Sequence, residues 1–131
     1  MADTVDTKVI RNKHGRYVVK LTNISDGTGE SGIVKVDVSA LTNASGAAAT
    51  MAHVWRIEYN IQGFTSVRLH WDAATDDEIA VLPTGSGVLD FSPEGGMTDP
   101  QSTTPVGDIK LTTAGTTSGN TYDITLWTRL K

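Results

Sequence analysis

From Lys8 to Lys131, apolar and polar residues alternate for five to ten positions at a time, and each run breaks at Gly, Ser, Thr, Asn or Pro. A period of two turns one face of each segment to a core and the other to water, so the chain is committed to half-buried antiparallel β-structure. The only helical-looking piece, Ala47-Ala48-Ala49, is too short to nucleate a helix unaided.

Residues 8–13 and 16–24 flank His14-Gly15, and glycine tolerates the positive φ of a tight hairpin. In 33–38, Val34, Val36 and Val38 share one face, with Lys35 and Asp37 on the other. Residues 52–61 and 64–71 read as two strands joined by a tight turn at Gln62-Gly63, with His53, Trp55, Ile57, Tyr59 and Ile61 on one parity. Strands at 78–82 and 87–91 end at Pro83 and Pro93, and 92–105 reads as a surface loop. The last two strands are 108–113 and 121–130. About nine strands in an all-β chain, with two long connections, predict a two-sheet antiparallel sandwich of jelly-roll or Greek-key type. An immunoglobulin-like sandwich is the alternative.

The 131 residues suit one domain, 8–131, preceded by a flexible N-terminal arm, 1–7. Met1 to Thr7 has no basic stretch followed by an apolar run, and no window approaches the roughly 18 apolar residues of a membrane span, so a soluble protein made in a cytoplasm is expected. Cysteine is absent, which removes disulfides, thiolate metal sites and cysteine nucleophiles. A net charge of -4 argues against general nucleic-acid affinity, because displacing counterions from phosphates needs a dominant basic surface.

Convergent chemistry is sparse. His14, His53 and His70 stand in no recognisable nucleophile setting, and Glu30-Ser31-Gly32 lacks the first glycine of a nucleophile elbow. The carboxylates from Asp72 to Glu78 are hard oxygens close together, but their spacing does not match a calcium loop and reads as a solvated turn. Asp26-Gly27-Thr28-Gly29-Glu30 lacks the Lys-Ser/Thr ending of a phosphate loop. A hydrolase would need two carboxyls facing across a cleft, which one crowded turn does not supply. No catalytic, cofactor or metal residue is assigned, and the expectation is a chain that is not an enzyme.

Charge is unevenly laid out. Lys8, Arg11, Lys13, Arg16 and Lys20 stand in sequence with no acid among them, whereas Asp72, Asp76, Asp77, Glu78, Asp90, Glu94 and Asp99 crowd the middle of the chain. If the two groups lie at different ends, the domain has poles that guide docking onto an acidic partner or between like subunits. The plainer reading is that edge strands carry Lys and Arg to block aggregation. In 121–130, Tyr122, Ile124, Leu126 and Leu130 share a face, leaving Trp127 with Asp123, Thr125 and Arg129. An aromatic on a polar face either anchors an interface or fills a satellite core. The candidate interface residues are therefore Lys8, Arg11, Lys13, Arg16, Trp127 and Arg129.

Several segments carry a resemblance: 16–19 (Arg-Tyr-Val-Val) leading into 21–31 (Leu-Thr-Asn-Ile-Ser-Asp-Gly-Thr-Gly-Glu-Ser), then 67–72 (Val-Arg-Leu-His-Trp-Asp), 107–109 and 119–126. Together they resemble the capsid cement, or decoration, proteins of tailed bacteriophages. The resemblance implies a structural virion protein, a jelly-roll-like β-sandwich that sits on the outer surface of the phage head. It further implies that the protein bridges neighbouring copies of the major capsid protein and forms a homo-oligomer, dimer or trimer. It carries over no catalytic residue and no cofactor; from the charge and the lack of a long apolar run, no nucleic-acid or membrane partner is expected. The runner-up is a carbohydrate- or receptor-binding module of a phage tail or fibre, with Trp55, Trp71 or Trp127 stacking on a sugar.

Overall fold

The computed structural model describes residues 4–91, 96–98, 100 and 106–131. They form seven strands: β1 (Thr4–Lys13), β2 (Arg16–Ile24), β3 (Ile33–Val36), β4 (Ala52–Trp71), β5 (Asp77–Asp90), β6 (Ile109–Ala114) and β7 (Thr121–Leu130), with one 3-10 turn at Val38–Ala40. All pairing is antiparallel, in the order β1-β2-β7-β4-β6-β3, with β5 also on β4. The fold is an all-β antiparallel sheet nearly closed on itself.

Seven strands replace the nine read from the sequence because two expected breaks do not leave the sheet. Gln62-Gly63 is not a turn. The chain runs through it as one 20-residue strand, β4. Pro83 likewise stays inside β5. Both sit where the β4–β5 register shifts, between Ile61 and Ser66, and an irregularity of this kind bends a strand without ending it. The first part of β4 pairs with β7 and the last part with β6, while β5 follows both. The bend brings the two ends of β4 together: the Trp71 indole N–H donates to the Ala52 carbonyl at 2.8 Å.

The core follows the registers. Val19, Leu126 and Ile57 stand side by side across β2, β7 and β4, and all three are fully buried. Leu69 and Leu111 do the same across β4 and β6, and Phe64 meets the Tyr122 ring at 6.0 Å. At Thr4–Thr7 the chain is already strand, paired with Leu21–Ile24, so β1 begins four residues before the expected Lys8. Residues 1–3 of the expected arm lie outside the described residues. Within the expected 92–105 loop, Met97 is tied to Val54 as a β-bridge and packs against the core.

Lys35 corrects the simple alternation of 33–38. A register shift between Val34 and Val36 turns Val34 out and Lys35 in. The Lys35 ammonium lies 2.5 Å from Glu30 Oε2, with both side chains about nineteen-twentieths buried. The other Glu30 oxygen accepts from Asn23 Nδ2 at 2.8 Å and from the Tyr122 hydroxyl. A carboxylate and an ammonium can be buried because every one of these contacts is charge-assisted.

Candidate functional site: a cationic end of the sheet

The β1–β2 hairpin turns at His14 (φ 52) and Gly15 (φ 76). A Cβ at Gly15 would stand 2.7 Å from the Ala44 backbone nitrogen, so glycine is required both by conformation and by the close approach of the 43–45 loop. The Leu130 amide donates to the Gly15 carbonyl at 2.6 Å, tying the hairpin to the end of β7.

This arrangement sets a row of basic side chains across four strands. Lys13 faces Arg16, Arg16 faces Arg129, and Arg129 faces His53. Directly opposed residues share a face of the sheet, so the row is one continuous surface. The next row runs Arg11, Val18, Trp127, Arg56 and Asp90. An open depression of about 670 Å³ lies at this end, lined by Arg11, His14, Arg16, Asn43, Arg129 and Lys131 among others. No ion pair to Arg11, Arg16 or Arg129 occurs among the described residues. Like charges held opposite one another repel, and an anionic group seated among them relieves that repulsion.

Of the six candidate interface residues, Arg11, Arg16 and Arg129 meet in the depression, and Lys13 joins them in the row. Lys8 lies farther along β1, opposite Lys20. Trp127 is half-buried on the outer face, as its parity predicts. It is covered by neighbours: the Arg56 guanidinium sits 5.2 Å from its ring centroid and Trp55 meets it edge-on at 6.4 Å. The local sequence pattern does not mark His53, Arg56 or the 43–45 loop for this site. A bulge between Val54 and Arg56 in the β4–β7 register puts His53 and Arg56 on the same face, which strict alternation hides.

The acidic turn lies at this end too. Ala52, which accepts from Trp71, is opposite Leu130, so the turn that starts at Asp72 is not a distant negative pole. Its charges are largely matched. Lys110 Nζ lies 3.0 Å from Asp76 and 3.4 Å from Asp72, His70 Nδ1 lies 3.0 Å from Asp76, and Arg68 forks onto both Glu78 oxygens at 3.1 and 2.9 Å. Desolvation works to raise the Asp76 pKa. The Ala73 amide, Lys110 and His70 together outweigh it and hold the carboxyl below its usual range. Lys110 is raised, chiefly by its hydrogen bond to Asp76, and Asp108 is raised by burial. Glu94 and Asp99 lie outside the described residues. Among the described residues no group of three His, Asp or Glu side chains is placed to hold a metal ion, and no helix is long and apolar enough to cross a membrane.

Neither a family model nor a curated protein matches the chain. Solved structures that align with it include iron(II) HppE (12% identity, 94% of this chain and 50% of that one, TM-score 0.37). Cobalt(II) HppE in complex with Tris buffer aligns at 12% identity, over 97% and 56% of the two chains, with a TM-score of 0.38. Hydroxypropylphosphonic acid epoxidase from S. wedmorenis aligns at 14%, over 86% and 42%, with a TM-score of 0.31. The chain spans about half the length of these proteins. They correct one expectation: the neighbours found are forms of an enzyme, so the exclusion of catalysis drawn from the sequence is withdrawn. Likeness at this level assigns this chain neither activity nor metal.

Proposed function

We propose that the protein is a docking and bridging module that seats its cationic end on an acidic protein surface. The resemblance to decoration proteins supplies the target: the outer surface of a phage head, where the chain clamps neighbouring major capsid protein subunits as part of the virion. The two-sheet jelly-roll arrangement and association with copies of itself belong to the same reading. One observation carries it, the row Lys13, Arg16, Arg129 and His53, whose arginines have no carboxylate among the described residues. On a body of net charge -4, a local cationic surface orients encounter with an acidic partner more than it adds raw affinity. Several such contacts made at once on a lattice act as one strong attachment, because each later contact is intramolecular.

Co-sedimentation with expanded heads built from the capsid protein of the same genome tests the reading. The expected result is saturable binding that weakens as salt rises and is lost in Arg16→Glu/Arg129→Glu. Absence of binding at saturating protein and low salt overturns it. The sugar-binding alternative keeps only Trp55 and Trp127, since Trp71 is buried and its indole N–H is committed to Ala52. A glycan-dependent shift of tryptophan emission, absent in Trp127→Ala, would favour it.

A further inference from the structure

Strand β1 is at the edge of the sheet, paired on one side with β2 and with no other strand among the described residues. All ten of its residues are exposed. On its inner parity Val5, Thr7 and Val9 face Asn23, Leu21 and Val19 of β2, which are buried. The apolar layer thus continues onto β1 and stops there uncovered, with Val5 47% and Val9 49% exposed. A ten-residue edge with unpaired backbone groups is a template for another strand.

We propose that two copies of this chain join through β1, edge to edge and antiparallel, with Thr7 facing Thr7 of the second copy. A two-fold axis perpendicular to the sheet keeps the inner faces of both copies on one side. Residues of like parity must then oppose one another. In this register Val5 faces Val9 of the second copy and Asp6 faces Lys8, each pair occurring twice. Slipping by two residues one way sets Asp6 against Asp6, and the other way sets Lys8 against Lys8, so charge selects the register. Asp6 and Lys8 have no ion pair within the chain among the described residues; Lys20, opposite Lys8, already pairs with Asp123 at 3.3 Å, which leaves Lys8 as the cation for an incoming Asp6. The bulge between Val9 and Arg11 falls outside the central five pairs. The inference is independent of the docking target proposed above, since it concerns the purified chain alone.

Sedimentation velocity over a concentration series and a cysteine pair of variants test it. The wild-type chain should be dimeric. Because the chain has no cysteine, Thr7→Cys should form a disulfide-linked dimer under mild oxidation. Thr4→Cys should not, its symmetry mate lying about 20 Å away. Asp6→Lys and Lys8→Asp should each weaken self-association about tenfold or more. Mixing the two variants should restore it, as should combining both changes in one chain. A chain that is monomeric throughout the series, equal cross-linking at positions 7 and 4, or charge variants that leave association unchanged would overturn the proposal.

Discussion

Strands β2 and β7 run side by side, and their two ends hold charge under opposite conditions. At one end Asn23 and Tyr122 donate to Glu30, which also pairs with Lys35, so the buried charges are matched. At the other end Arg16 and Arg129 face each other in the open beside Lys13 and His53. Buried charge survives only when matched, so the first end is organised by the demands of folding. Exposed charge can stay unmatched at small cost, so the second end is free to be organised by something outside the chain. The difference separates what holds the fold from what the fold presents.

Substitutions at the matched end should cost the most. Lys35→Met leaves Glu30 buried beside Tyr122 and Asn23 alone, and should destabilise by about 3–5 kcal/mol in urea unfolding. A loss under about 1 kcal/mol would mean that the pair is not a folding element and would collapse the contrast. Tyr122→Phe removes one donor to a charged acceptor and should cost about 2 kcal/mol with the slope of unfolding unchanged.

The acidic turn falls between the two extremes. Asp76 is partly buried, with 27% of its side chain exposed, so its pairs with Lys110 and His70 are only partly screened and Asp76→Asn should cost about 1 kcal/mol at pH 7. The sign of its pH dependence follows from the direction of the shift. A carboxyl held below its ordinary value stabilises the fold while ionised, and that contribution fades as pH falls below about 4. Wild type and Asp76→Asn should therefore converge in stability in acid, as measured by thermal unfolding across pH.

The smallest effect on stability belongs to the unmatched end, and it has the opposite sign. Arg16→Gln or Arg129→Gln should raise stability by a few tenths of a kcal/mol, more so at low salt where screening is weak, by relieving cross-strand repulsion. The same changes should weaken docking on an acidic surface. A substantial loss of stability instead would show that the row is matched after all and would erase the distinction between the ends.

Alternation made much of this legible. The His14-Gly15 hairpin, the inward set Tyr122, Ile124, Leu126 and Leu130, and the outward Trp127 follow from a period of two and from a glycine able to adopt positive φ. Alternation fails wherever a bulge inserts a residue. That is why Lys35 turns inward, why His53 and Arg56 join one face, and why β4 and β5 each absorb an expected break. The cationic row was half legible. Lys13 and Arg16 are neighbours through a hairpin that the sequence signals, but Arg129 reaches them only through the β2–β7 register, a long-range pairing that no local pattern encodes.

Strand β4 is bonded to β5, β6 and β7, whereas among the described residues β1 pairs with β2 alone. Most of the sheet cannot open without releasing that central strand, so amide protons along β4 should exchange with solvent only when the whole molecule unfolds, and largely together. Those of β1 can be released by local fraying. The molecule is thus a slow-exchanging body with one fast margin, and the margin is the strand whose protection would rise the moment a second copy arrived.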